Sequence, residues 1–303
     1  MQEQGCFPQG EMPALHDAAN VSSLNAQRQY LRLIKLNLVA LLVGAVAGAV
    51  VLPAVGRVIA GVAALALVAA LLLTFVIQNK SYERTWYGGR AIAESVKTLA
   101  WRYMARAEPF DGGDDATSDE LFLNRLAQTL ESGANLNVNL SAVSGSDQIT
   151  LRMREVRAWP LAQRRDYYDR CRIQDQQKWY SKKSGLSERA AGWFFAGMLL
   201  SNVLAVAAAV AMVIRPDLPV NGTGVFSTAA AAVFAWLQVR RHQEIAQSYA
   251  IAAQELAIVH GKVGAIATDA KFAVLVADAE NAISREHTLW VARRDAGVNL
   301  SAH

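Results

Sequence analysis

Charge is what this chain lacks over its longest stretches. No Asp, Glu, Lys or Arg occurs in Leu36–Gly56, Val58–Asn79, Ala190–Ile214 or Leu218–Val239, and the four runs come as two close pairs. A helix rises about 1.5 Å per residue, so roughly 20 residues cross the ~30 Å of bilayer hydrocarbon, and each run is long enough. A single Lys, Arg or Asp at mid-membrane costs about 2.5–3.5 kcal/mol on insertion scales, so empty windows of this length carry weight. A soluble bundle with very apolar cores is the rival reading, and the Ala-rich Thr228–Val233 suits it. Buried helices of soluble proteins, however, are shorter and interrupted on one face. The sequence therefore reads as an all-α membrane protein of two transmembrane helical hairpins.

Other absences narrow the chemistry. The five histidines, His16, His242, His260, His287 and His303, have no second His or Cys at metal-ligand spacing, which argues against a zinc site. No phosphate-cradling loop is present: Gly222-Thr223-Gly224 joins two spans, and Gly261-Lys262-Val263-Gly264 follows no strand. Glu286 and His287 are neighbours in sequence and do not face each other on a helix, so a solvated or interhelical pair explains them better than acid–base work. No catalytic residue and no cofactor is expected, and the chain reads as a non-enzyme. The two cysteines, Cys6 and Cys171, fall on the cytoplasmic side, where thiols stay reduced, and are read as structural or incidental. The first 30 residues are polar and include Glu3, Glu11 and Asp17, so no cleavable signal is expected and the first span directs insertion.

The basic residues set the topology. Arg28, Arg32 and Lys35 precede the first span, Lys80, Arg84 and Arg90 follow the second, Lys178, Lys182, Lys183 and Arg189 precede the third, and Arg240 and Arg241 follow the fourth. The hairpin tips hold only Arg57 and Arg215. By the positive-inside rule both termini and the central region are cytoplasmic. The net charge of +4 is an attraction to anionic headgroups of about 1 kcal/mol per juxtamembrane base. The expected partner is the lipid bilayer, with no nucleic acid.

About 200 residues remain for a helical bundle outside the bilayer. Ile92, Val96, Leu99 and Tyr103 form an apolar stripe that ends before Glu108-Pro109, and Asp111-Gly112-Gly113-Asp114-Asp115 marks a break. Leu121–Leu130 suits a short helix; Ser132–Asp147 reads as a loop, with a short strand as the alternative where Leu136, Val138 and Leu140 alternate. Helix resumes at Thr150, Pro160 suits the first turn of another, and Thr268-Asp269 offers an N-cap to a stripe of Phe272, Val276, Ala279, Ile283 and Trp290. This divides the chain into a first two-span unit at 1–110 (spans about 36–56 and 58–79), a flexible acidic and polar connector at 111–147, and a second two-span unit at 148–303 (spans about 190–214 and 220–239). The halves echo each other: Gln27-Arg28-Gln29-Tyr30 and Gln177-Lys178-Trp179-Tyr180 precede the hairpins, and Tyr87–Glu94 and Tyr249–Glu255 follow them.

Within the spans the polar residues stand out. Asn37 lies near the cytoplasmic end of the first span and Ser201-Asn202 near the middle of the third; an amide there bonds another helix or lines a water-filled path, since lipid offers no partner. Gly44 and Gly48 form a GxxxG step that lets a helix approach closely, within the hairpin or between copies. Trp193 and Trp236 suit the interfacial belt, whereas Trp101 suits burial between helices with Arg102 and Glu94 as charge partners.

Several of these residues carry a family resemblance. Tyr82-Glu83-Arg84-Thr85-Trp86-Tyr87, Arg90 to Lys97 with Glu94, and Ala100-Trp101-Arg102-Tyr103 resemble the post-hairpin motif of the SLATT families, two-transmembrane domains of bacterial conflict systems. Asp175 to Tyr180, including Trp179, and Ala282 to Trp290, including Glu286 and His287, are similar to a sister SLATT family. The chain thus resembles a tandem SLATT protein. The resemblance implies a bacterial inner-membrane effector of an antiphage system that oligomerises and perforates or depolarises the membrane on a signal from a nucleotide-generating or nucleotide-sensing partner. It implies no catalytic residues. A non-catalytic membrane scaffold that recruits a cytoplasmic partner is the alternative.

Overall fold

The computed structural model describes residues 10–50, 55–134 and 147–299, with side chains described as far as 284. Helices follow one another in the order α1 Ala14–Ala49, α2 Gly56–Lys80, α3 Tyr82–Ala105, α4 Asp115–Ala134, α5 Leu151–Ala158, α6 Leu161–Tyr168, a π-helical segment Asp169–Gln174, α7 Asp175–Ile214, α8 Gly222–Arg240, α9 His242–Val263 and α10 Asp269–Asn299. No strand occurs among the described residues, and one isolated antiparallel bridge joins Val50 to Val220. The alternating Leu136, Val138 and Leu140 lie outside the described residues.

Local chemistry explains the helix starts. The Thr150 hydroxyl accepts from the Met153 amide at 3.3 Å and caps α5, and the Thr268 hydroxyl accepts from Lys271 at 3.4 Å ahead of α10. Pro160, with φ fixed at −56°, stands at the N-cap of α6. Pro219 delays α8 until the Asn221 side chain can accept from the Thr223 amide at 3.1 Å. Each cap satisfies an amide that the first helical turn leaves unpaired.

The chain forms two compact units that interleave in sequence. One, the span unit, comprises Arg28–Tyr82 and Ser184–Gln247; the other, the helical body, comprises the residues up to Gln27, Glu83–Lys183 and those from Ser248. All four uncharged runs fall in the span unit. Four helical stretches, Ala14–Ala49, Gly56–Ala105, Leu161–Ile214 and Gly222–Val263, are long and apolar enough to cross a membrane. Both repeats therefore contribute to both units.

Within the span unit, α1 meets α2 where Gly44 leaves room: a Cβ there would stand 3.2 Å from the Leu67 side chain. Gly222 similarly lets α8 approach Ala208 of α7, at 3.3 Å from an added Cβ. The hairpins join at their tips through the Asn221 amide, which donates to the Ala49 carbonyl at 3.0 Å. Lys35 of α1 and Arg240 lie over the Trp236 ring of α8 at 5.2 and 5.9 Å. The two repeats match in detail here: α2 and α8 each end on a left-handed non-glycine residue, Ser81 at φ 47° and Arg241 at φ 46°. Such residues carry strain of order 1–3 kcal/mol, so their recurrence marks a shared turn.

The helical body has one apolar core. Trp101, Tyr103 and Met104 of α3, Phe122 of α4, Met153 of α5, Tyr168 of α6, Leu256 of α9 and Phe272, Val276 and Ile283 of α10 meet in it. Within 111–147, Asp115–Ala134 forms α4 and joins the body. Ser118, Phe122 and Leu126 recur every fourth residue and are 1%, 0% and 4% exposed, which sets one face of α4 into the core. The Asp114 carboxylate accepts from the Thr117 amide at 2.8 Å and caps it. The Leu121–Leu130 helix expected from sequence lies inside α4.

Helices α1 and α3 touch through Gly89. An added Cβ would meet the Ala19 carbonyl oxygen at 3.0 Å and Ser23 at 3.1 Å, and the Ser23 hydroxyl donates to the Trp86 carbonyl beside it at 2.9 Å. Gly89→Leu is expected to destabilise the detergent-solubilised chain by about 1–3 kcal/mol, whereas Gly61→Ala, with open space around it, leaves the thermal midpoint within error or raises it.

Candidate functional site

The polar centre of the helical body is a buried ion pair. Arg172, on the π-helical segment, and Glu280, on α10, both have side chains 0% exposed. The guanidinium donates through Nε to Glu280 Oε1 at 2.8 Å and through Nη2 to Oε2 at 2.7 Å. Tyr168 of α6 donates to Oε1 at 3.0 Å, and Thr98 of α3 donates to Oε2 at 2.9 Å. The carboxylate thus accepts four hydrogen bonds, about its full capacity. Arg172 keeps one buried donor, Nη1, with no hydrogen-bond partner among the described residues.

The electrostatics follow from this arrangement. Burial opposes the guanidinium charge of Arg172, but Glu280 outweighs it and raises the pKa. Burial, then the Glu280 charge, pushes the Tyr168 phenol well above its ordinary value. Tyr168 therefore stays a donor and Arg172 a cation, and the Glu280 carboxyl group is engaged in four bonds. A carboxylate so enclosed does not reach a substrate. The network fixes four elements, α3, α6, the π-helical segment and α10, against one another, and it offers no acid, base or nucleophile to solvent.

Two further buried arginines hold the turns. Arg157 donates to the Tyr103 carbonyl at 2.8 Å, the Ser118 hydroxyl at 2.8 Å and the Asp115 carboxylate at 2.9 Å. Arg164 donates to the Ala105 carbonyl at 2.7 Å and the Trp159 carbonyl at 2.9 Å, and pairs with Asp269. Ala105 and Trp159 close α3 and α5, so Arg164 covers carbonyls that helix ends leave exposed.

The structure distributes the residues singled out from sequence. Trp86 stacks on Tyr87 with ring centroids 4.5 Å apart. Arg90 pairs with Glu94 at 2.6 Å. Trp101 is 2% exposed, against Tyr167 and Tyr168 with centroids at 5.8 and 5.7 Å. Arg102 donates to Asn281 at 2.7 Å. Trp179, Tyr180 and Tyr249 form a three-ring cluster with 5.2 Å between centroids. Glu286, His287 and Trp290 belong to α10, and their side chains lie outside the described set.

In the span unit, Asn37 has a buried Oδ1 without a hydrogen-bond partner among the described residues. Ser201 and Asn202 each donate back to their own helix, to the Gly197 carbonyl at 2.9 Å and the Met198 carbonyl at 3.1 Å, and bond no neighbouring helix among the described residues. Gly44 packs within its own hairpin, and Gly48 has nothing within 4 Å. Trp193 is 80% exposed. Cys171 is buried in the π-helical segment, and Cys6 lies outside the described residues.

Residues 13–165 match SMODS and SLOG-associating 2TM effector domain 3, and residues 168–290 match SMODS and SLOG-associating 2TM effector domain 1. The chain belongs to the SLATT family. It carries two such domains in tandem, and the boundary falls inside α6, one turn before the π-helical segment. Thr98 lies in the first SLATT domain and Tyr168, Arg172 and Glu280 in the second, so the buried network joins the two. No curated protein and no solved structure matches the chain. Together the paired 2TM domains and the four apolar helices make it a multi-pass membrane protein.

Sequence reading missed the network itself. Its one signal was Glu280, set between Val276, Ala279 and Ile283 on a stripe that is otherwise apolar. Among the described residues no group of three His, Cys, Asp or Glu side chains is placed to hold a metal.

Two predictions follow from the burial. Removing one partner leaves a charge uncompensated, so Arg172→Met is expected to lower unfolding stability by about 3–5 kcal/mol, while Arg172→Met with Glu280→Leu recovers most of that loss. Tyr103, Tyr167 and Tyr168 all have raised folded-state pKa values, with burial the largest cause for each. The unfolded chain releases these protons near the ordinary value of 10.0, so their contribution is intact below about pH 10 and declines as pH rises beyond it. Tyr168→Phe should flatten the alkaline limb of the thermal midpoint measured against pH.

Proposed function

We propose that this chain is a membrane effector that assembles from several copies and permeabilises the bacterial inner membrane when its helical body receives a signal. The observation that carries the reading is that two 2TM effector domains pool all four spans in one compact unit. The basic residues flanking each hairpin favour an orientation with both termini and the body in the cytoplasm. A body so placed can meet a nucleotide or a separate sensor protein.

Physical features of the span unit support the assembly step. Its surface exposes Leu65, Leu71, Phe75, Val206 and Val213, which suits lipid, while Asn202 gives that surface a polar point. The scaffold alternative draws its support from the helical body, whose ring clusters and ion pairs exceed what an anchor needs. Leakage separates the two readings. Purified full-length chain reconstituted in phosphatidylethanolamine and phosphatidylglycerol vesicles is expected to release trapped dye, with a rate that rises more steeply than linearly with protein density. Dye retention at every density, with candidate nucleotides present and absent, would count for the scaffold.

A further inference from the structure

We infer that Asn202 is a self-association contact, and that its partner is the Asn202 of a second copy of this chain. The inference rests on the assembly step of the function proposed above. Asn202 lies twelve residues from either end of the uncharged run Ala190–Ile214, about 18 Å of helix on each side. It therefore sits at the middle of the hydrocarbon. Its side chain is exposed on the surface of the chain, and its amide nitrogen makes one bond, to the Met198 carbonyl at 3.1 Å.

That bond leaves most of the amide unsatisfied. The carbonyl oxygen accepts from nothing among the described residues, and the second N–H is likewise unused. Ser201 and Thr74 show the contrast: each hydroxyl donates to the carbonyl four residues back, at 2.9 Å in both cases, and so spends its one proton within its own helix. A carboxamide has two protons and a strong acceptor, and no single helix can satisfy them. Lipid supplies neither donor nor acceptor.

The neighbouring surface fixes what the partner must be. Phe195, Leu199, Val206 and Val213 share this side of α7 and are all exposed, so the partner is a membrane-spanning helix that is apolar except for one polar group at the same depth. Asn202 of another copy meets both conditions. Copies inserted in one orientation around an axis along the membrane normal hold their residues at equal depth, and a carboxamide is both donor and acceptor, so the two side chains satisfy each other.

The test is self-association of the full-length chain, labelled with donor and acceptor fluorophores and reconstituted in phosphatidylcholine and phosphatidylglycerol vesicles over a series of lipid dilutions. Asn202→Leu is expected to need an about three- to tenfold higher protein density for half-maximal energy transfer, the range that interhelical bonds of this type give. Asn202→Gln should stay close to wild type, as should Leu200→Val on another side of the helix. Asn202→Leu replaces an outward-facing group by an apolar one, so its helical circular dichroism and thermal midpoint should match wild type. Energy transfer for Asn202→Leu equal to wild type, or a wild-type signal at background at every density, overturns the contact; altered dye release without altered association assigns Asn202 to a water-filled path instead. Wild-type association that weakens in Asn202→Leu, in vesicles from which the wild type releases no dye, would support the contact and strike at the permeabilisation reading alone.

Discussion

Hydrocarbon's intolerance of unsatisfied charge shapes this molecule from end to end. It empties four runs of Asp, Glu, Lys and Arg, leaves Arg57 and Arg215 at the hairpin tips, and sets Arg32, Lys35, Lys80, Arg189, Arg240 and Arg241 at the other ends of the spans. Because lipid offers no hydrogen bond, each span must satisfy its own backbone, and only helix does that without a closed barrel. The fold class follows from this one constraint. So does the interleaving, since residues barred from the bilayer collect in a body of their own.

Inside that body the same rule applies in a milder solvent. Arg172 and Glu280 are wholly buried, and the pair holds because the carboxylate receives four donors from three helical elements. An apolar pair of similar volume would supply most of the same stability. What the ion pair adds is geometry: a bidentate fork accepts one register of α10 against the π-helical segment, and Thr98 fixes α3 to the same carboxylate. The π turn belongs to this arrangement, because the extra residue it carries rotates the following side chains relative to a regular helix.

The legible parts of the sequence were those decided by composition or short-range chemistry. The spans needed only the absence of charge. The start of α10 was visible in Thr268, and its buried face in Phe272, Val276, Ala279 and Ile283, because cap and stripe are local properties. The SLATT resemblance was legible too, in the motifs around Trp86 to Arg102 and around Trp179. Long-range pairing was not. Glu280 lies 108 residues from Arg172, and nothing local to Cys171-Arg172-Ile173 says that this arginine, rather than Arg170, turns inward. The face of α4 was hidden by its acidic start, since Asp111 to Asp115 read as a break whose Asp114 proved to be a cap. The interleaving was hidden as well, because chain order suggests two successive units where packing gathers all four spans together.

Tandem duplication changes the physics of assembly. Hairpins on separate chains must find each other by diffusion in the membrane, whereas a second hairpin on the same chain has its encounter built in, at an effective concentration set by the linking helices. The contact through Ala49 and Asn221 at 3.0 Å and the placement of Lys35 over Trp236 at 5.2 Å are intramolecular for that reason. The two hairpins also cease to be equivalent: Gly44 tightens the first against Leu67, while the second carries the mid-span amide. Each hairpin also carries an amide oxygen without a partner among the described residues, Asn37 Oδ1 buried in the first and the Asn202 side chain exposed in the second.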